Sequence, residues 1–430
     1  MSEQRSIEVV ADWVGLDGPT CMGLLTATPA RGKEVFAFSY DEDWLKSAPR
    51  QQLDPSLALY GGPQYPAKSR SSFGLFLDSS PERWGRLLMR RREAQLARAE
   101  AREERRLVES DYLLGVHDGH RMGALRFCVD GRFMDDNDEL ASPPWTSLRE
   151  LEHASLQLER EGVEADPDYG HWLRMLIAPG GSLGGARPKA SVRDERGQLW
   201  IAKFPSRRDD VDIGAWEMTT RRLAELAGVS VPEAQVRRFG TQREPSRGHH
   251  TFLSRRFDRG PGGQRLHFAS AMTLTDHVDG QGADEGASYL ELVDLMARLG
   301  AQPAVDLAQL FRRIVFSICV SNTDDHLRNH GFMLSPTGWV LSPAYDINPN
   351  PHGAGLALNI SETDNALDLD LALSVANVFR IQQRQAQQVV REVVAAVRTW
   401  RSAAGEAGLS PTAQDGMQRA FRVADTWRDR

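Results

Sequence analysis

Cysteine is scarce: Cys21, Cys128 and Cys319 are the only three in 430 residues, far apart and in no Cys-x-x-Cys pair. That excludes a disulfide framework and a cysteine zinc site, and the three read as buried thiols. Long apolar runs are missing as well. No stretch approaches the ~18 residues that a membrane span requires, and Met1-Ser2-Glu3-Gln4-Arg5-Ser6 opens no apolar segment. A cytoplasmic protein without membrane partners is the expectation. Positive charge is not in excess, since 52 Lys and Arg against 59 Asp and Glu leave a net charge of −7. Non-specific binding of the whole chain to a phosphate backbone is therefore excluded, although local basic surfaces are not. There is no internal repeat, and the length, with 41% hydrophobic residues, suffices for two or three domains.

What is present is a polar stretch, Ser321-Asn322-Thr323-Asp324-Asp325-His326-Leu327-Arg328-Asn329-His330, with Asp346 following in Pro343-Ala344-Tyr345-Asp346. An Asp, an Asn five positions on, a hairpin and a second Asp is the order in which a phosphoryl-transfer site supplies a base and two Mg2+ ligands. Asp324 can accept the proton of an attacking hydroxyl, while the side-chain oxygens of Asn329 and Asp346 suit a hard cation. Between them, Gly331 to Leu334 and Trp339 to Ser342 flank Ser335-Pro336-Thr337-Gly338, which reads as two strands and a turn. Taken alone, the same residues also read as an ordinary cap and turn cluster.

Upstream, Gln198-Leu199-Trp200-Ile201-Ala202-Lys203-Phe204 follows a turn at Asp194 to Gly197 and places Lys203 on a strand. Gly214 to Gly228 reads as a helix with Trp216, Leu223 and Ala227 on one face and Glu217 on its shoulder. A strand lysine and a helix glutamate in this order are what a kinase-like N-lobe uses to align nucleotide phosphates. Ahead of them, Gly180-Gly181-Ser182-Leu183-Gly184-Gly185-Ala186-Arg187-Pro188-Lys189 is dense in glycine, which lets backbone N–H groups approach phosphate oxygens. It matches neither Gly-x-Gly-x-x-Gly nor the Walker pattern, and in isolation it is a turn.

The first 130 residues carry strand-like segments at Ile7 to Val14 and Val35 to Tyr40. A basic helix is expected from Arg83 to Arg106, whose interleaved charges read as a solvated face. The acidic, proline-bearing stretch from Asp130 to Pro144 is the linker candidate. After a hairpin ending Leu253-Ser254-Arg255-Arg256-Phe257-Asp258, helices are expected at Tyr289 to Leu299, Ala304 to Val320 and from Leu373 to Ala404. The fold class is thus α+β. A protein-kinase-like two-lobed body, with a β-rich N-lobe (146–258) and a helical C-lobe (259–430), follows a small α+β domain (1–130) and a linker (131–145).

Together these residues resemble the HipA family of serine/threonine kinases, toxins of bacterial type II toxin–antitoxin pairs. The resemblance rests on Ser182 to Lys189, Trp200 to Pro205, Arg256 to Arg259, Thr323 to Asn329 and Pro343 to Asp346, and the leading region is similar as well. It departs from the pattern at Asp78-Ser79-Ser80-Pro81-Glu82-Arg83-Trp84 and at Arg187-Pro188, which touches partner choice and loop behaviour. The resemblance implies ATP and Mg2+ as cofactors, Asp324 as base, Asn329 and Asp346 as metal ligands, and Lys203 on the phosphates with Glu217 as its partner. Gly184, Gly185, Ala186, Lys189, Arg255, Phe257 and His326 complete the nucleotide contacts, His326 by holding its loop. Ser182 would be both a nucleotide contact and the site of autophosphorylation, which should inhibit because the added charge lies where ATP phosphates must sit. The implied partners are a protein substrate, such as an aminoacyl-tRNA synthetase or another translation component, and a HipB-like DNA-binding antitoxin through which nucleic acid is met only indirectly. Two rival readings are a pseudokinase that acts by pairing with its antitoxin, and a metal-dependent phosphoesterase built on Asp324, Asp325, His326 and His330.

Overall fold

A computed structural model describes residues 4–47, 51–134, 143–180, 185–240, 243 and 246–429. The chain forms two compact units, one of residues 1–208 and 258–269 and the other of residues 209–257 and 270–430. It is an α+β protein, as the sequence leads one to expect.

The first unit opens with strands β1 (Arg5–Ala11), β2 (Thr20–Ala30) and β3 (Lys33–Tyr40), followed by helices α1 (Glu42–Ser47), α2 (Gly74–Leu77), α3 (Arg83–Ala99) and α4 (Glu109–Leu114). Strands β4 (Leu125–Val129) and β5 (Arg132–Phe133) complete an antiparallel sheet of order β3-β2-β1-β4-β5. Alternation explains most of its core: Ile7, Val9, Leu25, Ala27, Phe36, Phe38, Leu125 and Phe127 are all buried, and Met22 joins them at a bulge where the β1–β2 register shifts. Helices α5 (Leu148–Leu158) and α6 (Tyr169–Gly180) lead to an antiparallel hairpin of β6 (Lys189–Arg193) and β7 (Leu199–Lys203). Its turn is set by Asp194, whose Oδ1 accepts from the N–H of Arg196 and Gln198 while Oδ2 accepts from Trp200 Nε1.

The second unit contains α7 (Ile213–Leu226), a hairpin of β8 (Ala234–Arg237) and β9 (Thr251–Arg255), and a helical remainder. Short β10 (Phe268–Ser270) lies where the chain returns to this unit. There follow α8 (Ala271–Leu274), α9 (Tyr289–Leu299), α10 (Pro303–Val320), the hairpin β11 (Gly331–Ser335) and β12 (Gly338–Leu341), and α11 (Leu369–Ser374), α12 (Gln383–Val397), α13 (Trp400–Glu406), α14 (Pro411–Met417) and α15 (Arg422–Thr426). Pro303 starts α10 at a position where its missing N–H costs nothing. Helix α7 is capped by Asp212, whose Oδ1 accepts from Ala215 N–H at 3.1 Å, and it is anchored by Trp216 against Trp400 and Phe421.

Four expectations are corrected. The basic helix stops at Ala99 rather than reaching Arg106, because Ala101 turns left-handed and the buried carboxylate of Glu93 draws back the Arg102 guanidinium and the Arg105 N–H. Glu93 thus draws the end of that face back, while Arg90, Arg92, Arg98 and the residues from Glu103 to Arg106 stay exposed, as expected of a solvated face. The helical segments expected from Leu373 to Ala404 are present as α12 and α13, but they begin only at Gln383, because α11 ends at Ser374 and Arg380 is left-handed between the two helices. Strand β2 pairs with both β1 and β3, yet the sequence reading passed over it, since Thr, Gly and Pro dilute its alternation. Cys128 and Cys319 are buried, but Cys21 is only half-buried. Among the described residues, no helix is long and apolar enough to cross a membrane.

Candidate functional site

In the second unit, the polar stretch begins where α10 ends. Ser321 is left-handed (φ 50°, ψ 48°) and buried, and its hydroxyl donates to Ala420 O at 2.8 Å. This turn directs Thr323 and Asp324 away from the helix, leaving Asp324 exposed. One residue on, Asp325 does the opposite. It is buried, accepting from Tyr289 Oη at 2.7 Å and from Ser317 Oγ at 3.2 Å, with His330 Nε2 3.0 Å from its other oxygen but out of line for a hydrogen bond. Burial pushes the Asp325 carboxyl up, but the facing imidazole and the donated hydrogen bonds outweigh it and hold the group below its ordinary value. Burial and the Asp325 charge drive the Tyr289 phenol well above its own.

Asn329 lies in a single helical turn, Leu327–Asn329, and its Nδ2 donates to Asp324 O at 2.8 Å. The amide's donor end is thereby committed to holding the Asp324 backbone, and Oδ1 is the end left to act as a ligand. His326 contributes its carbonyl, which accepts from Asn329 N–H at 2.8 Å, while its side chain makes no capping hydrogen bond.

The segment after β12 is stitched to this stretch at several points. Asn350 N–H donates to Ser321 O at 3.1 Å, Asn350 Nδ2 to Thr323 Oγ1 at 2.7 Å, Asn348 N–H to Asn322 Oδ1 at 3.2 Å, and Tyr345 Oη to Arg328 O at 2.6 Å. Arg313, buried beneath, donates to Ser342 O, and burial brings its pKa down to about 10. Within this frame Asp346 is half-buried and left-handed at φ 57°. Such a backbone costs about 1 kcal/mol and is tolerated best by Asn and Asp. The segment is also tied to α7, where Thr220 Oγ1 donates to Ile347 O at 2.6 Å. One residue of that helix, Glu217, is 4% exposed, so it is buried rather than on a shoulder. Phe257 packs against Tyr345 with ring centroids 5.5 Å apart and planes tilted by 33°, and Arg255 lies 3.6 Å from Glu233.

In the first unit, Lys203 stands directly opposite Lys189 in the β6–β7 register. Two like charges opposite one another are unfavourable unless negative charge joins them. Lys189 is buried, and a Cβ added at Gly185 would lie 2.9 Å from its ammonium, so the absence of a side chain there admits the lysine head group. Gly185 has φ +82°, which glycine adopts without strain. Its carbonyl accepts from Trp84 N–H at 3.1 Å, and its N–H donates to the Glu82 carboxylate. The Trp84 indole donates to Lys189 O at 3.0 Å. The start of α3 thus holds the end of the glycine-rich segment, a contact that no motif indicated. Ala186 is exposed. Ser182 and Gly184 lie outside the described residues.

The family description that matches is the HipA-like C-terminal domain, over residues 181–401, just over half of the chain. This chain belongs to the HipA family. A Haemophilus influenzae relative is 27% identical over 189 residues, which cover 40% of this chain and 54% of the relative. The Sinorhizobium fredii protein Y4dM, whose name is that of a candidate kinase, is 29% identical over 54% of this chain and 56% of its own length. The chain thus spans about half the length of these curated relatives. The Shewanella oneidensis serine/threonine-protein kinase toxin HipA is 28% identical over 30% of this chain and 33% of the toxin. A chain from the solved complex of Shewanella oneidensis HipA, HipB and operator DNA superposes with a TM-score of 0.65 at 19% identity, covering 98% of this chain and 97% of that one. This HipA-family chain therefore shares its fold over nearly its whole length.

The Asp325 and His330 that a phosphoesterase metal site would use are buried against each other, Tyr289 and Ser317. Among the described residues, no three His, Cys, Asp or Glu side chains come together as a metal site.

Proposed function

We propose that this chain is an ATP- and Mg2+-dependent serine/threonine protein kinase, the toxin of a type II toxin–antitoxin pair. The observation that carries the reading is the Asn329 amide, whose donor end is fixed on Asp324 O and whose oxygen remains for a ligand. Magnesium favours one or two protein oxygens, completed by phosphates and water, and the oxygens of Asn329 and Asp346 fit that preference. Bound Mg2+ would neutralise charge on the transferring phosphate. Asp324, exposed at the head of its turn, is the base that takes the substrate hydroxyl's proton. Lys203, supported by its cross-strand neighbour Lys189, receives the α/β-phosphates, with Glu217 as its partner. Gly184, Gly185, Ala186, Arg255, Phe257 and His326 complete the nucleotide contacts, and Ser182 is the autophosphorylation site. The division into a leading domain (1–130), a linker (131–145), an N-lobe (146–258) and a C-lobe (259–430) belongs to the same reading.

The relative named as a serine/threonine-protein kinase toxin, and the complex in which HipA is bound with HipB and DNA, support a cytoplasmic kinase that phosphorylates a cellular protein. They likewise support control by a HipB-like antitoxin. Transfer of label from γ-labelled ATP to protein, by wild type and by Lys203→Met, tests the proposal. The variant is expected to lose at least ~10²-fold in rate. Label released as inorganic phosphate and not carried to protein, undiminished in the variant, would favour a phosphoesterase, and no transfer by wild type alongside a stable antitoxin complex would favour a pseudokinase.

A further inference from the structure

Asn348 has no part in the roles given above, yet it joins the two halves of the second unit's polar site. Its backbone N–H donates to Asn322 Oδ1 at 3.2 Å, and its Nδ2 donates to Asp346 Oδ1 at 3.3 Å. The remaining side-chain polar atom, Asn348 Oδ1, is buried with no hydrogen-bond partner among the described residues. Reversing the amide would set that oxygen against a carboxylate oxygen, so the facing Asp346 fixes which end is which.

Buried acceptors are nearly always partnered, and an exception calls for a missing donor or ion. Here the orphan acceptor belongs to a side chain whose donor already grips a cation-seeking carboxylate. Mg2+ retains several of its waters when bound by proteins, and each water ligand carries protons to donate. We propose that Asn348 is a positioning residue of the cation site: Nδ2 orients the Asp346 carboxylate, and Oδ1 receives a hydrogen bond from a metal-bound water. This rests on the kinase reading. Partners of this kind, outside the metal's direct ligands, typically change metal affinity by about 10- to 100-fold.

The test is Mn2+ binding, followed by electron paramagnetic resonance, to the full chain with a non-hydrolysable ATP analogue. Asn348→Leu keeps the side chain's shape and removes both polar ends. It should weaken Mn2+ about 10- to 100-fold while leaving binding of the metal-free analogue unchanged. Asn348→Asp keeps an acceptor but sets a second carboxylate against Asp346, so its melting temperature should be low without metal and rise more with Mn2+ than that of wild type. This arm stands even if the leucine variant does not fold. Wild-type affinity in Asn348→Leu, or a Mn2+-induced rise in Asn348→Asp no larger than that of wild type, would overturn the proposal. Failure of the wild type itself to bind Mn2+ with the analogue would instead overturn the cation site and the kinase reading beneath it.

Discussion

The two places to which phosphate chemistry is assigned in the proposed function are held in different ways. Around Asp324 and Asp346, position is set by side chains reaching across 5 to 27 residues of sequence: Asn329 to Asp324 O, Asn350 to Thr323, Tyr345 to Arg328 O. Around Gly185, it is set by the start of α3, with Glu82 and Trp84 about a hundred residues away in sequence. A short, polar, side-chain frame resists change locally. A distant clamp ties Gly185 to the start of α3.

The largest expected effect breaks the first frame at its chemistry. Asp324→Ala and Asp346→Ala should each lower phosphoryl transfer by at least ~10²- to 10³-fold in single-turnover assays, with a melting temperature close to wild type for Asp324→Ala and a lower one for Asp346→Ala, whose backbone is left-handed. Next, Asp325→Ala should act on folding instead. Removing the carboxylate that accepts from the buried Tyr289 and Ser317 hydroxyls costs about 1 to 3 kcal/mol for each hydroxyl left unpaired, read from denaturant unfolding. The contrast between neighbours sharpens the comparison, since one aspartate is exposed and the next is buried.

The clamp predicts something milder. Glu82→Ala removes the acceptor of Gly185 N–H, a loss of about 1 kcal/mol, hence roughly fivefold. It should raise KM for ATP with kcat little changed, and an equal fall in both kcat and kcat/KM would instead put Glu82 in the transition state. The smallest effect concerns acid. Because the Asp325 carboxyl lies below its ordinary value in the folded chain, its contribution is complete above the unfolded value near ~4 and is lost as pH falls through the folded one. Thermal stability of Asp325→Asn should therefore decline less steeply than wild type below about pH 4.

The same contrast explains what could be read from the sequence. The strand lysine, the hairpin from Gly331 to Leu341 and helices α9 and α10 were legible, because local pattern and turn chemistry agree with the fold. The distinct duties of Asp324 and Asp325 were not, since burial by Tyr289 and Ser317 comes from other helices. Nor was the grip of Glu82 on Gly185, which depends on tertiary proximity alone. The break between α11 and α12 contains neither Gly nor Pro and turns on a left-handed Arg380, so no breaker residue announced it.

The most direct test of the central claim is the intact and peptide mass of the purified chain after incubation with MgATP, beside the Asp324→Asn variant treated identically. The account predicts phosphate added to the wild type, at Ser182, and none to the variant. Equal phosphate on both chains would contradict the assignment of Asp324 as base. No phosphate on either, together with no binding of MgATP, would contradict the kinase reading itself.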